Sequence, residues 1–227
     1  QLNWVRSFGK HNATAMGLFS RQENARGSVM PTYREDWAFR VTYNYADRYF
    51  IEYNGAYNGS EKFSPENRFA FFNSGAIGWM ISEEPFMKFF REKKIIDMLK
   101  VRASYGEIGS DQLGPDPFDS SRRWLYMNQW AYGGNSRIDL NQTQSIYTWY
   151  REAAIGNKDI QWEVVKKLNI GVDYSLFEGM LAGSLEFFRD ERSNIFVYGG
   201  DRSIPSYFGG TPPSINKGKI RTNGYEL

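Results

Sequence analysis

Apolar and polar residues alternate along much of this chain. Tyr49, Ile51, Tyr53, Gly55, Tyr57 and Gly59 share one parity, while Arg48, Phe50, Glu52, Asn54, Ala56 and Asn58 share the other. Successive side chains of a strand point to opposite faces, so this run predicts a strand with one apolar and one mostly polar face. The preceding run repeats the pattern: Trp37, Phe39, Val41, Tyr43 and Tyr45 oppose Ala38, Arg40, Thr42 and Asn44. The junction Tyr45-Ala46-Asp47-Arg48 predicts a tight hairpin between the two. Further on, Leu99, Val101, Ala103 and Tyr105 oppose Lys100, Arg102, Ser104 and Gly106. Trp162, Val164, Leu168, Ile170, Val172, Tyr174 and Leu176 oppose Glu163, Lys167, Asn169, Asp173 and Ser175, with Lys166 out of place near the strand end. After a turn at Phe177–Gly179, Leu181, Gly183, Leu185 and Phe187 oppose Ala182, Ser184, Glu186 and Asp190. Phe69–Ile81 alternates more weakly, and the start of the chain predicts a hairpin around Gly9 and Lys10.

The connections between these runs differ in length. Short ones are expected near Gly9-Lys10, Ala46-Asp47 and Phe177–Gly179, and long ones near 21–34, 60–68, 109–161 and 192–219. A medium one, 82–98, falls where a short one is due, and Pro85 followed by Phe86, Phe89, Phe90 and Ile96 predicts a short helix in it. Short and long connections alternate, which gathers every long one at the same end of the sheet. That arrangement, with strands of more than about ten residues and Tyr and Trp near strand ends, is the pattern of a transmembrane β-barrel. A soluble β-sandwich has the same alternation with the apolar face turned into a core, and the pattern alone leaves it as the alternative.

Composition narrows the function classes. The 227 residues carry 28 Lys and Arg against 26 Asp and Glu, a net charge of +2 that gives no reason to expect nucleic acid. There is no cysteine, hence no disulfide and no thiol nucleophile, and a single histidine, His11. No run of about 18 apolar residues is present, which excludes a membrane-spanning helix and leaves membrane-spanning strands untouched. The sequence is read as a piece of a longer protein, because both ends fall inside expected strands.

No catalytic constellation is found, and neither a cofactor nor a metal is expected. His11 beside a tight turn reads as a solvated turn residue. Glu83 and Glu84 are adjacent in sequence and are expected to point apart, which suits no paired-carboxylate chemistry. Asp111, Asp116 and Asp119 lie close enough in sequence to offer calcium oxygen ligands but lack the spacing of a calcium loop, so a solvated loop is the preferred reading. The informative segment is 109–161, too long for an ordinary connection. It carries Arg122, Arg123, Trp124, Tyr126, Trp130, Tyr132, Trp149 and Tyr150. Aromatic faces beside guanidinium groups stack on sugar rings and hydrogen-bond hydroxyls, and equally pack a loop on its neighbours or on a partner protein. These eight are the candidate substrate- or partner-binding residues. The Gly- and Pro-rich stretch 198–218 is a second candidate for the outer rim.

Five blocks carry a family resemblance. Asn67–Lys88, NRFAFFNSGAIGWMISEEPFMK, resembles a strand and turn typical of the SusC/RagA family of TonB-dependent outer-membrane transporters. Asn67, Arg68, Phe71, Phe72, Ser74, Gly78, Trp79, Ile81, Ser82, Glu84 and Phe86 match its pattern, while Ala70, Asn73 and Ala76 depart from it. Tyr57–Phe63, Leu99–Ser110, Ile160–Gly179 and Asn216–Leu227 are similar to further blocks of that family, in the same order. The resemblance implies an all-β fold: an antiparallel transmembrane β-barrel segment of about eight to nine strands. It would be the middle to late part of a plugged barrel of roughly 22 strands in which 1–227 belongs to one barrel domain. The plug, the segment engaging the TonB complex and the closing strands are expected outside this sequence. The resemblance also implies import of an oligosaccharide, or of a peptide, across the bacterial outer membrane without covalent chemistry. The implied partners are a SusD-like surface lipoprotein, the TonB complex, outer-membrane lipid and a second copy of the transporter–lipoprotein pair. Tyr49, Ile51, Tyr53, Ile170 and Val172 would face lipid, and Arg40, Glu52, Lys100 and Arg102 the lumen. The alternative is a small complete outer-membrane barrel with a structural or adhesive role.

Overall fold

A computed structural model describes residues 1–26, 29–114, 122–140 and 143–227. Eleven strands follow in chain order: β1 (Leu2–Phe8), β2 (His11–Arg26), β3 (Val29–Tyr45), β4 (Tyr49–Ser60), β5 (Phe69–Met80), β6 (Ile96–Ser110), β7 (Gln129–Leu140), β8 (Thr143–Ala154), β9 (Glu163–Leu176), β10 (Leu181–Val197) and β11 (Ile215–Glu226). Among the described residues, nine of them form one antiparallel sheet in the order β1-β2-β3-β4-β5-β6-β9-β10-β11, and β7 pairs with β8. Each strand of the large sheet lies beside its sequence neighbour, the β7–β8 hairpin being an excursion between β6 and β9. The sheet leaves β1 and β11 with one neighbour each, so it does not close on itself into a small barrel.

The register keeps like faces together. Tyr49, Ile51, Tyr53 and Tyr57 of β4 lie opposite Trp79, Ile77, Gly75 and Phe71 of β5, and opposite Tyr45, Tyr43, Val41 and Trp37 of β3. Cross-strand aromatic pairs follow, such as Tyr57–Phe69 and Tyr49–Trp79 with ring centroids 5.1 and 6.5 Å apart. This apolar face is the exposed one. On β4, Tyr49, Ile51, Tyr53 and Tyr57 are between 42% and 52% exposed, while Glu52, Asn54 and Asn58 on the opposite face are half-buried. A sandwich would bury such a face under a second sheet. Here the buried apolar side chains among the described residues are Phe63, Phe72, Leu113, Leu125, Ile160 and Trp162 alone. They form one cluster at the long-connection end, fed by residues of the β4–β5, β6–β7 and β8–β9 connections. The β5–β6 pairing stops at Ser74 and Gly106, short of this cluster, whereas β4–β5 pairing continues to Gly59 and Phe69. Phe72 fills the space beyond: a Cβ on Gly109 would stand 2.0 Å from its ring. Gly109 therefore lets β6 pass against Phe72.

Short turns lie where expected, at Gly9-Lys10, Ala46–Arg48 and Phe177–Met180. Ala46, Asp47, Phe177 and Glu178 all adopt positive φ, the left-handed conformation that carries the chain through these three- and four-residue turns. The medium connection folds into a 3-10 turn at Pro85–Met87 running into helix α1 (Lys88–Glu92), as the proline and phenylalanine spacing predicts. Three expectations for the other end need correction. Residues 21–26 and 29–34 are strand rather than loop, because β2 and β3 stay paired from His11↔Tyr45 out to Arg26↔Val29. The two strands complete each other's backbone hydrogen bonds beyond the apolar band. Water then meets both faces, so the alternation that marks a strand inside the band is absent. Segment 109–161 likewise contains the β7–β8 hairpin. The fourth long connection is shorter than 192–219, running from Tyr198 to Ser214.

Candidate substrate-facing surface

The polar face of the sheet is knitted by ion pairs across strands. Arg102 on β6 reaches Asp173 on β9 (3.2 Å) and Glu186 on β10, and donates to Asn169 Oδ1 at 3.3 Å. Asn169 in turn donates to Glu186 at 2.9 Å. A Cβ on Gly171 would lie 3.0 Å from the guanidinium carbon, so the glycine leaves room for Arg102 to lie along β9. Arg40 and Glu52 pair at 2.7 Å, Lys167 and Asp190 at 3.2 Å, and Lys100 sits 5.4 Å from the Phe50 ring centre. On the opposite, apolar face Lys166, the residue out of place in its run, pairs at 3.1 Å with its cross-strand partner Glu107, toward the long-connection end of the strands. Charges aligned along one face in opposite-sign pairs fit a wet interior, and the exposed aromatic face fits lipid.

At the long-connection end the eight candidate residues divide into a base and a crown. Arg123 is in the base: it is buried, grips both carboxylate oxygens of Glu61 at 2.7 and 2.9 Å, and donates to the backbone oxygens of Met30 and Pro31. One side chain thereby ties the β6–β7 connection to the β2–β3 and β4–β5 ends. Its guanidinium also stacks 4.5 Å from the Trp124 ring centre. Trp124 holds a positive φ of 59° in a turn closed by the Met127 N–H on its carbonyl, and Tyr126 is half-buried in the same turn. Arg122 donates to the Leu113 carbonyl at 2.7 Å and lies 5.0 Å from the Tyr198 ring centre. The crown is the β7–β8 hairpin. Trp130, Tyr132 and Tyr150 are all more than half exposed, and Tyr132 and Tyr150 are register partners with rings edge to face at 6.1 Å. Trp149 packs over Gly133, where a Cβ would stand 2.3 Å from its ring.

Beside the base lies a polar cleft of about 400 Å³, lined by Ser110, Gln112, Arg122, Glu163, Arg192 and Tyr198 among others. Arg192 and Glu163 pair across it at 3.1 Å. Of these only Arg122 stood out in the sequence. Glu163 reads as an ordinary strand position and Arg192 as the start of a long connection, and nothing short of the β6-β9-β10 neighbourhood brings them to one place. Asp111 accepts from Ser60 Oγ at 2.8 Å and faces Arg34 and Lys62 at 3.5 and 3.7 Å, while Asp116 and Asp119 lie outside the described residues. Among the described residues no group of three or more potential metal ligands gathers.

At the short-turn end, Glu83 and Glu84 point apart as expected. Glu83 pairs with Arg91, and Glu84 accepts from Tyr49 OH at 2.6 Å and Trp79 Nε1 at 3.1 Å, with Arg48 at 3.5 Å. The Tyr49 hydroxyl, then the Trp79 N–H and Arg48, hold the Glu84 carboxyl below the usual glutamate range. His11 is half-buried rather than solvated: it shares a 2.7 Å hydrogen bond with Tyr43 OH and stacks on Phe8.

The sequence matches the family described as "TonB dependent receptor-like, beta-barrel" from residue 4 to residue 227. This chain belongs to that family of TonB-dependent receptor barrels. It is 26% identical to TonB-dependent receptor P3 of Formosa agariphila, over all of this chain and 24% of the relative. It is 29% identical to TonB-dependent receptor SusC of Bacteroides thetaiotaomicron, over 66% of this chain and 14% of the relative. Among solved structures, the RagAB peptide transporter superposes with a TM-score of 0.76 at 17% identity, covering 98% of this chain and 26% of that one. The chain spans about a quarter or less of the length of these relatives. Membership makes it a TonB-dependent receptor barrel segment of the bacterial outer membrane, a setting in which the exposed aromatic face suits lipid and the ion-paired face suits the lumen.

Proposed function

We propose that the native protein containing this chain imports a bulky nutrient across the outer membrane, and that 1–227 forms part of the wall of its barrel domain. The observation that carries the reading is the inversion of the sheet: exposed aromatic residues on one face, cross-strand ion pairs on the other, within a TonB-dependent receptor family. In this reading energy comes from the TonB complex through a segment other than this one. A SusD-like lipoprotein covers the long connections, and two such pairs associate. The barrel holds and passes its cargo without breaking bonds. The crown residues Trp130, Tyr132 and Tyr150 offer flat exposed faces, and the cleft beside Arg122 offers hydrogen-bond donors. Together they suit an oligosaccharide, with a peptide as the second choice. The similarity in fold to RagAB, a peptide importer, keeps that second choice in view.

The test uses the native protein in vesicles, with Trp130→Ala, Tyr132→Ala and Tyr150→Ala combined. Binding is measured calorimetrically against a mixture of neutral oligosaccharides and a mixture of oligopeptides. The expected result is saccharide binding weakened at least about tenfold, which corresponds to about 1.4 kcal/mol. Affinity unchanged for both mixtures, with the barrel assembled, overturns the role of the crown, and binding of peptides alone overturns the choice of saccharide.

A further inference from the structure

The connection between β5 and β6 has no part in the proposed transport path, yet its chemistry is specific. Its entry is fixed by Glu84, whose carboxylate accepts hydrogen bonds from Tyr49 and Trp79. Both donors belong to the exposed aromatic face, where their rings stack 6.5 Å apart at an interplanar angle of 12°. Through these two donors Glu84 Oε1 ties the chain to the lipid side of the wall, while Arg48 meets Oε2 at 3.5 Å. The next residues, Pro85–Glu92, form the 3-10 turn and helix α1 in succession. Phe86, Phe89 and Phe90 are spaced i, i+3, i+4 and so share a helix face. They are 64%, 56% and 40% exposed. Around them stand Lys88, Arg91, Lys93 and Lys94, all exposed. Lys93 holds its ammonium 4.4 Å from the Phe89 ring centre, a cation–π contact on one face of that ring. Arg91, Lys88 and Lys94 keep carboxylate partners in Glu83, Glu92 and Glu178, so the polar rim is solvated and near balance.

We infer that Pro85–Glu92 is an interfacial anchor: it lies in the periplasmic leaflet of the outer membrane, with Phe86, Phe89 and Phe90 among the acyl chains and the basic rim at the headgroups. The occupant is a phospholipid surface because the phenylalanine face is continuous, through Glu84, with the Tyr49–Trp79 part of the lipid-facing surface. The short-turn end of such barrels is the periplasmic one. An amphipathic helix in this setting buries its apolar face about 5–10 Å into the boundary between headgroups and chains. This inference rests on the membrane-spanning reading of the sheet and not on which nutrient is carried.

Spin labelling tests it. This chain has no cysteine, so Phe86→Cys and Phe89→Cys place a nitroxide at one site each once any cysteine elsewhere in the native protein is replaced by serine. The protein is reconstituted in phosphatidylethanolamine and phosphatidylglycerol vesicles, and collision rates with oxygen and with a water-soluble nickel chelate are measured. Ile77→Cys serves as the lipid reference and Lys10→Cys as the water reference. Both positions are exposed and take a label without disturbing packed neighbours. The expected result is an oxygen-favoured ratio close to that at Ile77, at a depth of about 5–10 Å. Lys88→Cys on the polar face should read as nickel-accessible. Nickel access at Phe86 and Phe89 equal to that at Lys10 overturns the anchor. A label shielded from both reagents overturns it too, because protein and not lipid would then cover the phenylalanines. Loss of the Ile77 signature would instead strike at the membrane-spanning reading itself.

Discussion

Ile170→Arg is the sharpest probe of the sheet's orientation. Ile170 lies on β9 between Ala103 of β6 and Phe187 of β10, and it is 44% exposed on the apolar face. It lies six residue steps from Leu176, the last residue of β9 at the short-turn end. At about 3.3 Å per residue that is roughly 20 Å along the strand. With a tilt of about 45° it becomes roughly 14 Å along the membrane normal, near the middle of an apolar band about 25 Å tall. An arginine there costs about 2–4 kcal/mol, against about 0–1 near the interface. Leu181, at the first residue of β10 and paired with Leu176, is the matched interfacial site, also on the exposed face. The difference between Ile170→Arg and Leu181→Arg should therefore be about 2–3 kcal/mol, a factor of roughly 30–150 in the folding equilibrium. Guanidinium unfolding of the native protein in vesicles, followed by tryptophan emission, measures it. Equal stabilities for the two variants would refute the assignment of the apolar face to lipid, because water at both positions treats the two arginines alike.

Two further outcomes concern the ends of the wall. Arg123→Met leaves the Glu61 carboxylate without its guanidinium in a largely buried place, a loss of about 3 kcal/mol. Because the pair joins connections rather than strands, the loss should appear as faster protease cleavage between β6 and β7, with the barrel's heat-resistant mobility on gels retained. At the other end, Glu84 has a depressed folded pKa set by Tyr49, Trp79 and Arg48. Its contribution is complete above the ordinary glutamate value of about 4.3 and is lost as the pH falls from there through the depressed folded value. Glu84→Gln should remove that part of the acid sensitivity of unfolding, and an unchanged acid profile would refute it.

Much of this fold was legible because a barrel wall is written one residue at a time. Parity along β4, β9 and β10 sets which side chains share a face, and the antiparallel neighbours add nothing to that choice. Turn chemistry at Ala46-Asp47 and Phe177–Gly179 fixed the short end in the same local way. The helix after Pro85 was legible for the same reason, since proline and phenylalanine spacing act within two turns. The sequence was silent where water meets both faces of a strand. Residues 21–26 and 29–34 pair through backbone hydrogen bonds that need no alternation, so polar and proline signals there read as a loop.

The site followed the same division. The sequence alone determined that aromatics and arginines crowd 109–161, and that His11, Glu83 and Glu84 suit no catalytic pairing. It could not divide the eight candidates, because burial depends on neighbours distant in sequence. Arg123 is buried by Glu61, Met30 and Pro31, each more than sixty residues away, while Trp130, Tyr132 and Tyr150 stay exposed on a hairpin that pairs with itself. The direction of the apolar face was likewise a tertiary matter. Alternation is identical whether that face meets a second sheet or a bilayer, and only a sheet with an exposed aromatic face and a cross-strand ion-paired one tells the two apart.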